Sequence, residues 1–426
     1  MPKLLIKGGR VIDPASGMDA VRDVLIDGGD ISIIEKNINS DGAKVIDAKG
    51  KWVVPGLVDI HVHLREPGYE YKETIETGTR SAAAGGFTSV ACMANTNPVN
   101  DCASVTEYIR NTAKSRGVVN VFPIGAVTRG LKGESLADIA EMADAGVVAL
   151  SDDGHCVMNP SMLRAALEYA GMFGLPVIEH AEDIHLKQNG VMNEGLVSTE
   201  LGLTGNPRTA EDAIVARDVL LAEYTGGHIH FAHVSTAGSV EIIRQAKARG
   251  IKITAEAAPH HFTLTDEAVR KYDTNAKMAP PLREKSDVDA IKQGLADGSI
   301  DCIATDHAPH GIAEKDVEFD NALFGIVGLE TALSLSLNLV HEEVLTPMRL
   351  VETMALNPAK VIGVKRGTLE PGAVADVTII DPSAEWTVDP SLFESKGRNT
   401  PFAGWKMKGR AVVTIVKGKV VYELED

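Results

Sequence analysis

Leu57-Val58-Asp59-Ile60-His61-Val62-His63-Leu64-Arg65 decides how the rest of the chain is read. A β-strand sends successive side chains to opposite faces, so histidines spaced by one residue project from the same side. Pro55-Gly56 precedes the run, and its first residues are apolar enough to be buried. Two imidazoles placed this way can reach one metal ion at the end of a strand, at about 2.0–2.1 Å for zinc. A bare pair of histidines can also cap a strand by hydrogen bonding alone, so the later chain must decide.

Outward from that stretch, Pro55 to about Gly363 alternates apolar runs with helix-length segments. Strands are predicted at Leu57–Leu64, Thr88–Met93, Val119–Val127, Val147–Ser151, Pro176–His180, His228–Val234, Lys252–Ala258 and Asp301–Thr305. Helical patterning falls between them, as at Ser161–Phe173, Ala210–Tyr224 and Ser239–Arg249. Such alternation implies an α/β fold with a parallel sheet. Eight units fit a closed (β/α)8 barrel of the TIM type. The alternative is an open doubly wound sheet, but Gly85-Gly86-Phe87 lacks the GxGxxG spacing of a nucleotide loop.

The two ends read alike and differ from the middle. Short β-rich runs occur at Leu4–Ile6, Val24–Ile26, Ile31–Ile34 and Lys44–Ile46, then again at Asp376–Ile380, Ala411–Val416 and Val420–Tyr422. Gly8-Gly9 and Gly28-Gly29 are expected to form hairpin turns. Neither end has strands enough for a core of its own. The expectation is one small β-sandwich built from residues 1–54 and 364–426, with the barrel, residues 55–363, inserted between them.

A formal charge of −17 argues against a nucleic-acid partner. An anionic small molecule stays open, because one arginine or metal ion reverses the sign inside a pocket. The 4 cysteines show no CxxC spacing, which reads as reduced thiols rather than a zinc knuckle or disulfide framework. The apolar run at Met1–Lys7 is too short for a leader, and no stretch is long enough for a membrane span. A cytoplasmic protein is expected.

In a barrel enzyme, chemistry sits at the C-terminal ends of the strands. Five of the eight predicted strands end in, or are closely followed by, a strong ligand: His61 and His63, Asp152-Asp153, His180, His233 and Asp306. Adjacent Asp152 and Asp153 point opposite ways, so one of them at most binds metal, and a carboxylate can bridge two ions. Asp306 is placed to act as general base or acid beside a metal-bound water.

Asp59-Ile60-His61-Val62-His63-Leu64-Arg65-Glu66-Pro67, taken with Ala304-Thr305-Asp306-His307-Ala308-Pro309-His310 and Lys315, resembles the signature pair of the dihydroorotases of the amidohydrolase superfamily. The similarity runs the whole chain, through Gly367-Thr368-Leu369 and Gly372 to Asp376. The resemblance implies that His61 and His63 hold one Zn2+, that His180 and His233 hold a second, and that Asp153 bridges them. Asp306 would touch the first ion and shuttle the proton. His63, Arg65, Asn95, His310, Phe324 and Gly325 would hold the substrate. The implied reaction is the reversible cyclisation of N-carbamoyl-L-aspartate to L-dihydroorotate by a metal-bound hydroxide, a pyrimidine-biosynthesis step.

Related cyclic amidases and one dihydroorotase class bridge their metals with a carboxylated lysine. No lysine lies between Lys132 and Lys187 here, so the chain resembles the longer, bacterial class I dihydroorotases. It departs from several relatives at Ala279, where they have a substrate-contacting asparagine, and an alanine side chain makes no hydrogen bond. The rival readings are an allantoinase or dihydropyrimidinase, and a silent partner of aspartate transcarbamoylase that should have lost ligands. A homodimer and a transcarbamoylase partner are both compatible with the resemblance.

Of the other histidines, His155 reads as a loop residue, and His228 and His230 as ordinary strand positions. His260-His261 are candidates for orienting a ligand. His307 should point away from Asp306, and His185 and His341 should be solvated. Arg65 should continue the period-two face of His63 and grip a carboxylate bidentately. The charged stretch Gly311–Asp320 is expected to act as a lid.

Overall fold

The eight apolar runs of the middle segment form eight strands: Leu57–Val62, Phe87–Cys92, Asn120–Pro123, Leu150–Ser151, Val177–Glu179, Ile229–Phe231, Ile253–Ala257 and Cys302–Ile303. The protein is described here from a computed structural model covering residues 3–39 and 41–425; Met1 and Pro2, which begin the run read for a leader, lie outside it. All pairings among these strands are parallel. Gly125 bridges to Leu150 and Val62 bridges to His307, which joins the two arcs of strands into a closed ring.

A helix follows each strand: Ile75–Ala84, Ala103–Arg116, Ile139–Ala145, Pro160–Gly171, Thr209–Thr225, Ala237–Ala248, Lys285–Asp297 and Ala332–His341. Local chemistry fixes where several of them start. Asn159 caps its helix by accepting from the Ser161 amide, with Pro160 at the first turn, and Thr236 accepts from the Ser239 amide. Leu163, Ala166, Leu167 and Ala170 recur at helical spacing and are buried against the strands.

The inside of the barrel is filled by Val58, Ile60, Ala91, Met93, Ile124, Ala149, Ile178, Ala232 and Cys302, closed at one end by Ala359, Val361 and Ile362. Small and branched side chains suffice because the ring of strands is narrow. The first strand gains one residue on its neighbour between Asp59 and Val62. Ile60 therefore fills the interior while His61, the next residue, also turns inward. Simple alternation could not place both on one side.

The ends of the chain join in one sheet. Its order is Lys419–Glu423, Lys406–Val416, Val377–Thr387, Trp52–Pro55, Lys3–Asp13, Met18–Asp27 and Asp30–Glu35, with Ala43–Asp47 pairing beside Lys3–Asp13. Trp52–Pro55 carries the seam, since Val53 pairs with Val11 on one side and Ile379 on the other. Val11, Val53, Ile379 and Ile415 share one buried cluster. Gly28-Gly29 forms the expected hairpin turn, with φ of 66° and 100°. Gly8-Gly9 does not. It lies inside the first strand, where the register shifts between Ile6 and Gly9, and the turn instead spans residues 14–17. A glycine pair permits a bulge as readily as a turn.

Ile379→Ala should cost about 2–5 kcal/mol, because the side chain is fully buried at the seam between the two chain ends. The check is a lowered urea midpoint, and a midpoint equal to wild type would show that the seam carries no stability.

Candidate active site

At the C-terminal mouth of the barrel the polar strand ends converge. Asp59 is buried beneath them and accepts hydrogen bonds from the backbone amides of His61 and Thr305, at 3.1 Å each, tying the first strand to the eighth. Burial raises its carboxyl to about 7. Above it, the His61 Nε2 lies 3.3 Å from Asp153 Oδ1 and 3.5 Å from Asp306 Oδ1. His63 Nε2 lies 3.4 Å from Asp153 Oδ2 and 3.0 Å from Asp306 Oδ1. His180 Nδ1 and His233 Nε2 are each 3.6 Å from Asp153 Oδ1, and 3.0 Å from one another. All six side chains are buried.

The Asp153 carboxylate thus faces both histidine pairs. Its neighbour Asp152 turns the other way and accepts from the amides of Val127 and Thr128 and from the Thr128 hydroxyl, so it anchors a loop. Burial works against ionisation of Asp153 and Asp306, yet the facing imidazoles hold both carboxyls well below the usual range. Burial likewise disfavours a charged His180, but Asp153 and Glu182 push its pKa up to about 10. The site attracts positive charge.

Three ligand groups have mutually close donor atoms: His61, His63 and Asp153; Asp153, His180 and His233; His61, His233 and Asp306. Buried His61 Nε2 and Asp153 Oδ1 have no hydrogen-bond partner. Imidazole and carboxylate donors left open and facing one another suit divalent zinc-type ions. These residues could hold two such ions with Asp153 between them.

The surrounding contacts include several that the sequence did not reveal. Glu256, ending the seventh strand, binds His61 Nδ1 at 2.6 Å and His230 Nε2 at 3.0 Å. His230 is therefore more than an ordinary strand position: it braces the carboxylate that orients His61. Glu182 sits between His180 Nε2, at 3.5 Å, and Lys187 Nζ, at 2.5 Å. Asn399 comes from the C-terminal part of the chain, after the strand Val377–Thr387, and reaches across the barrel mouth. Its side chain donates to the carbonyls of Ala308 and Gly325 and accepts from the His310 amide.

A cleft of about 400 Å³ opens beside the cluster, lined by His63, Arg65, Asn95, Asp153, Asp306, His310 and Phe324, with Ala279, His155 and Lys187 at its other walls. Asn95 Oδ1 lies 2.9 Å from His63 Nδ1, and its amide nitrogen 3.4 Å from Asp153 Oδ2. His310 Nε2 donates to the Phe324 carbonyl at 2.7 Å. Gly325 has φ +150°, and a Cβ there would lie 2.8 Å from the His310 ring, so only glycine fits. Arg65 reaches the cleft by a different route from that expected. The strand ends at Val62, and Arg65 adopts a left-handed backbone with φ 60°. His233 (φ 32°) and Asp306 (φ 47°) share that unfavourable region, which costs of order 1–3 kcal/mol per residue.

The remaining histidines separate cleanly. His307 turns from the cluster to Glu73, at 3.3 Å. His261 Nε2 donates to the Pro280 carbonyl at 2.9 Å, which fixes the chain beside Ala279, whereas buried His260 Nε2 has no partner. His185 and His341 are exposed.

His61→Ala or His180→Ala should abolish bound metal and turnover, and Glu256→Gln should weaken metal affinity about 10- to 100-fold by loosening His61. Metal analysis after dialysis against a graded chelator checks all three; full metal in the two alanine variants would place the site elsewhere.

The sequence matches the family described as Dihydro-orotase-like over residues 50–239, and the Amidohydrolase family over residues 208–422. It is 61% identical over 421 residues to a dihydroorotase of Geobacter metallireducens, covering 99% of both chains. It is 60% identical over 422 residues to a dihydroorotase of Pelotomaculum thermopropionicum, again covering 99% of each. The fold is similar to that of an L-hydantoinase (dihydropyrimidinase) from Arthrobacter aurescens, with a TM-score of 0.90, 28% identity, and coverage of 100% of this chain and 97% of that one. Full-length identity at this level, on a barrel whose mouth gathers four histidines and two aspartates, settles the kinship: the chain belongs to the dihydroorotase family of amidohydrolases.

Proposed function

We propose that this protein is a dihydroorotase that interconverts N-carbamoyl-L-aspartate and L-dihydroorotate in pyrimidine biosynthesis, with zinc as its metal. The observation that carries the reading is Asp153, which faces both histidine pairs where a lysine would stand in related cyclic amidases. No lysine occurs between Lys132 and Lys187 to take that place. The likeness to hydantoinases is a likeness of fold, and it keeps neutral cyclic amides as the reading to be tested against.

Held by His61, His63, Asp153, His180 and His233, with Asp306 as a further ligand, divalent metal would supply polarisation of the ring carbonyl and an acidified water. The chain does the rest. Asp306, held as a carboxylate by the imidazoles around it, can accept the proton of the attacking water. It then returns the proton to the departing ring nitrogen, and in the cyclising direction it takes a proton from the carbamoyl nitrogen. The Arg65 guanidinium binds the substrate carboxylate, Asn95 offers a hydrogen bond, and the His310 ring and Phe324 wall the cleft against the substrate. Among the described residues no helix is long and apolar enough to cross a membrane, in keeping with work on small soluble metabolites.

Asp306→Asn keeps the shape but cannot cycle a proton, and turnover should fall by at least about 10²-fold with metal retained. Turnover within tenfold of wild type would remove Asp306 from that role.

Arg65→Met removes the cation that separates dihydroorotate from dihydrouracil. Losing one partner of a desolvated charge pair costs about 2–5 kcal/mol, so dihydroorotate hydrolysis should collapse while bound metal stays the same. Wild-type protein should turn over dihydrouracil and hydantoin poorly. Equal rates on those neutral rings would make it a general cyclic amidase.

A further inference from the structure

Two buried lysines, Lys315 and Lys277, have no carboxylate partner among the described residues. Lys315 Nζ donates to the carbonyls of Leu323 at 2.7 Å and Gly325 at 3.0 Å, the two residues that flank Phe324. Lys277 Nζ donates to the carbonyls of Phe319 at 2.7 Å and Asp320 at 3.0 Å, and lies 4.6 Å above the Phe324 ring. The Lys277 carbonyl in turn accepts from the Gly325 amide at 3.0 Å. Their exposures are 6% for Lys315 and 2% for Lys277. Burying an ammonium is costly unless several acceptors surround it. Carbonyls here are the acceptors, and they all belong to the loop that walls the cleft or to its immediate support.

We infer that Lys315 and Lys277 are positioning residues, whose ammonium groups clamp the backbone of residues 319–325 so that the Phe324–Gly325 wall is built before substrate arrives. The chain of contacts reaches the cleft directly. Fixing Leu323 and Gly325 fixes the Phe324 carbonyl between them, and that carbonyl accepts from His310 Nε2. With this nitrogen committed as donor, the ring takes one orientation toward the cleft. Asn399 holds the Gly325 carbonyl from the opposite side. A clamp of this kind contrasts with the mobile lid expected over Gly311–Asp320, because the wall would be as ordered without substrate as with it. Preorganisation lowers the ordering cost of binding and so acts on substrate affinity.

Burial opposes the two charges, so the carbonyl acceptors are what hold the amines in place. Burial lowers Lys315 to about 7 and Lys277 to about 8, with Asp273 and Asp320 opposing the fall and Lys187 adding to it at Lys277.

The role rests on the dihydroorotase reading for its substrate, so the test has two arms. In the metal-loaded protein, hydrogen exchange of the amides at 319–325 should quicken at least about tenfold in Lys315→Met, an opening of roughly 1.4 kcal/mol. The change should be confined to that segment and its Asn399 contact. Dihydroorotate KM should rise about tenfold while kcat stays within about threefold and metal content is unchanged. Lys277→Met should show the same pattern and serves if Lys315→Met does not fold. Unchanged exchange at 319–325 overturns the clamp. So does quickened exchange with unchanged KM, which would leave the lysines structural. Should the wild type fail to turn over dihydroorotate, the functional reading falls, and the exchange arm still judges the clamp.

Discussion

The Asp153 and Asp306 carboxylates meet four imidazoles at 3.0–3.6 Å in a space that water does not fill freely, and the architecture is arranged around keeping that meeting aligned. Charges so close at low dielectric attract strongly, and they also penalise any displacement of an ångström. Three of the four rings are therefore fixed from behind. Glu256, itself steadied by His230, holds His61; Glu182 and Lys187 hold His180; Asn95 holds His63. The left-handed backbones at His233 and Asp306 show that alignment has been favoured over local ease.

The same requirement explains why the sequence is so readable at the mouth of the barrel and less so elsewhere. His61 and His63 announce themselves through period-two spacing, and the apolar runs behind them mark the strands. The register shift between Asp59 and Val62 has no signature, since it follows from how neighbouring strands pair. Glu256 escaped notice because an acidic residue ending an apolar strand looks like a strand leaving the core. Asn399 could not be found locally at all. It lies in the tail, among residues whose pattern belongs to the terminal β-region, and acts on Ala308 and Gly325 through contacts that only tertiary structure creates. Strand alternation alone leaves Asp152 and Asp153 equivalent and the family resemblance singles out Asp153; the bonds from Val127 and Thr128 supply the physical reason that Asp152 faces away.

Ala279 shows how one cleft can differ from its relatives without disturbing the metal cluster. It lies at the wall beside Met278, supported by the bond from His261 to the Pro280 carbonyl, and the groups facing the reacting end are untouched by it.

The shared sheet of the two chain ends has a consequence for biosynthesis of the polypeptide itself. Val54 pairs with Thr378, and Trp52 with Ile380, so the strand that leads into the barrel leaves the ribosome long before its partner exists. Throughout translation of the barrel, an apolar edge with unpaired backbone groups stays open to solvent or a chaperone. Nascent chains stopped short of Val377 would hold every barrel strand and all six residues of the His/Asp cluster, yet keep that edge open and prone to pairing with another copy. The final stretch of synthesis is thus what covers the open side of Trp52–Pro55.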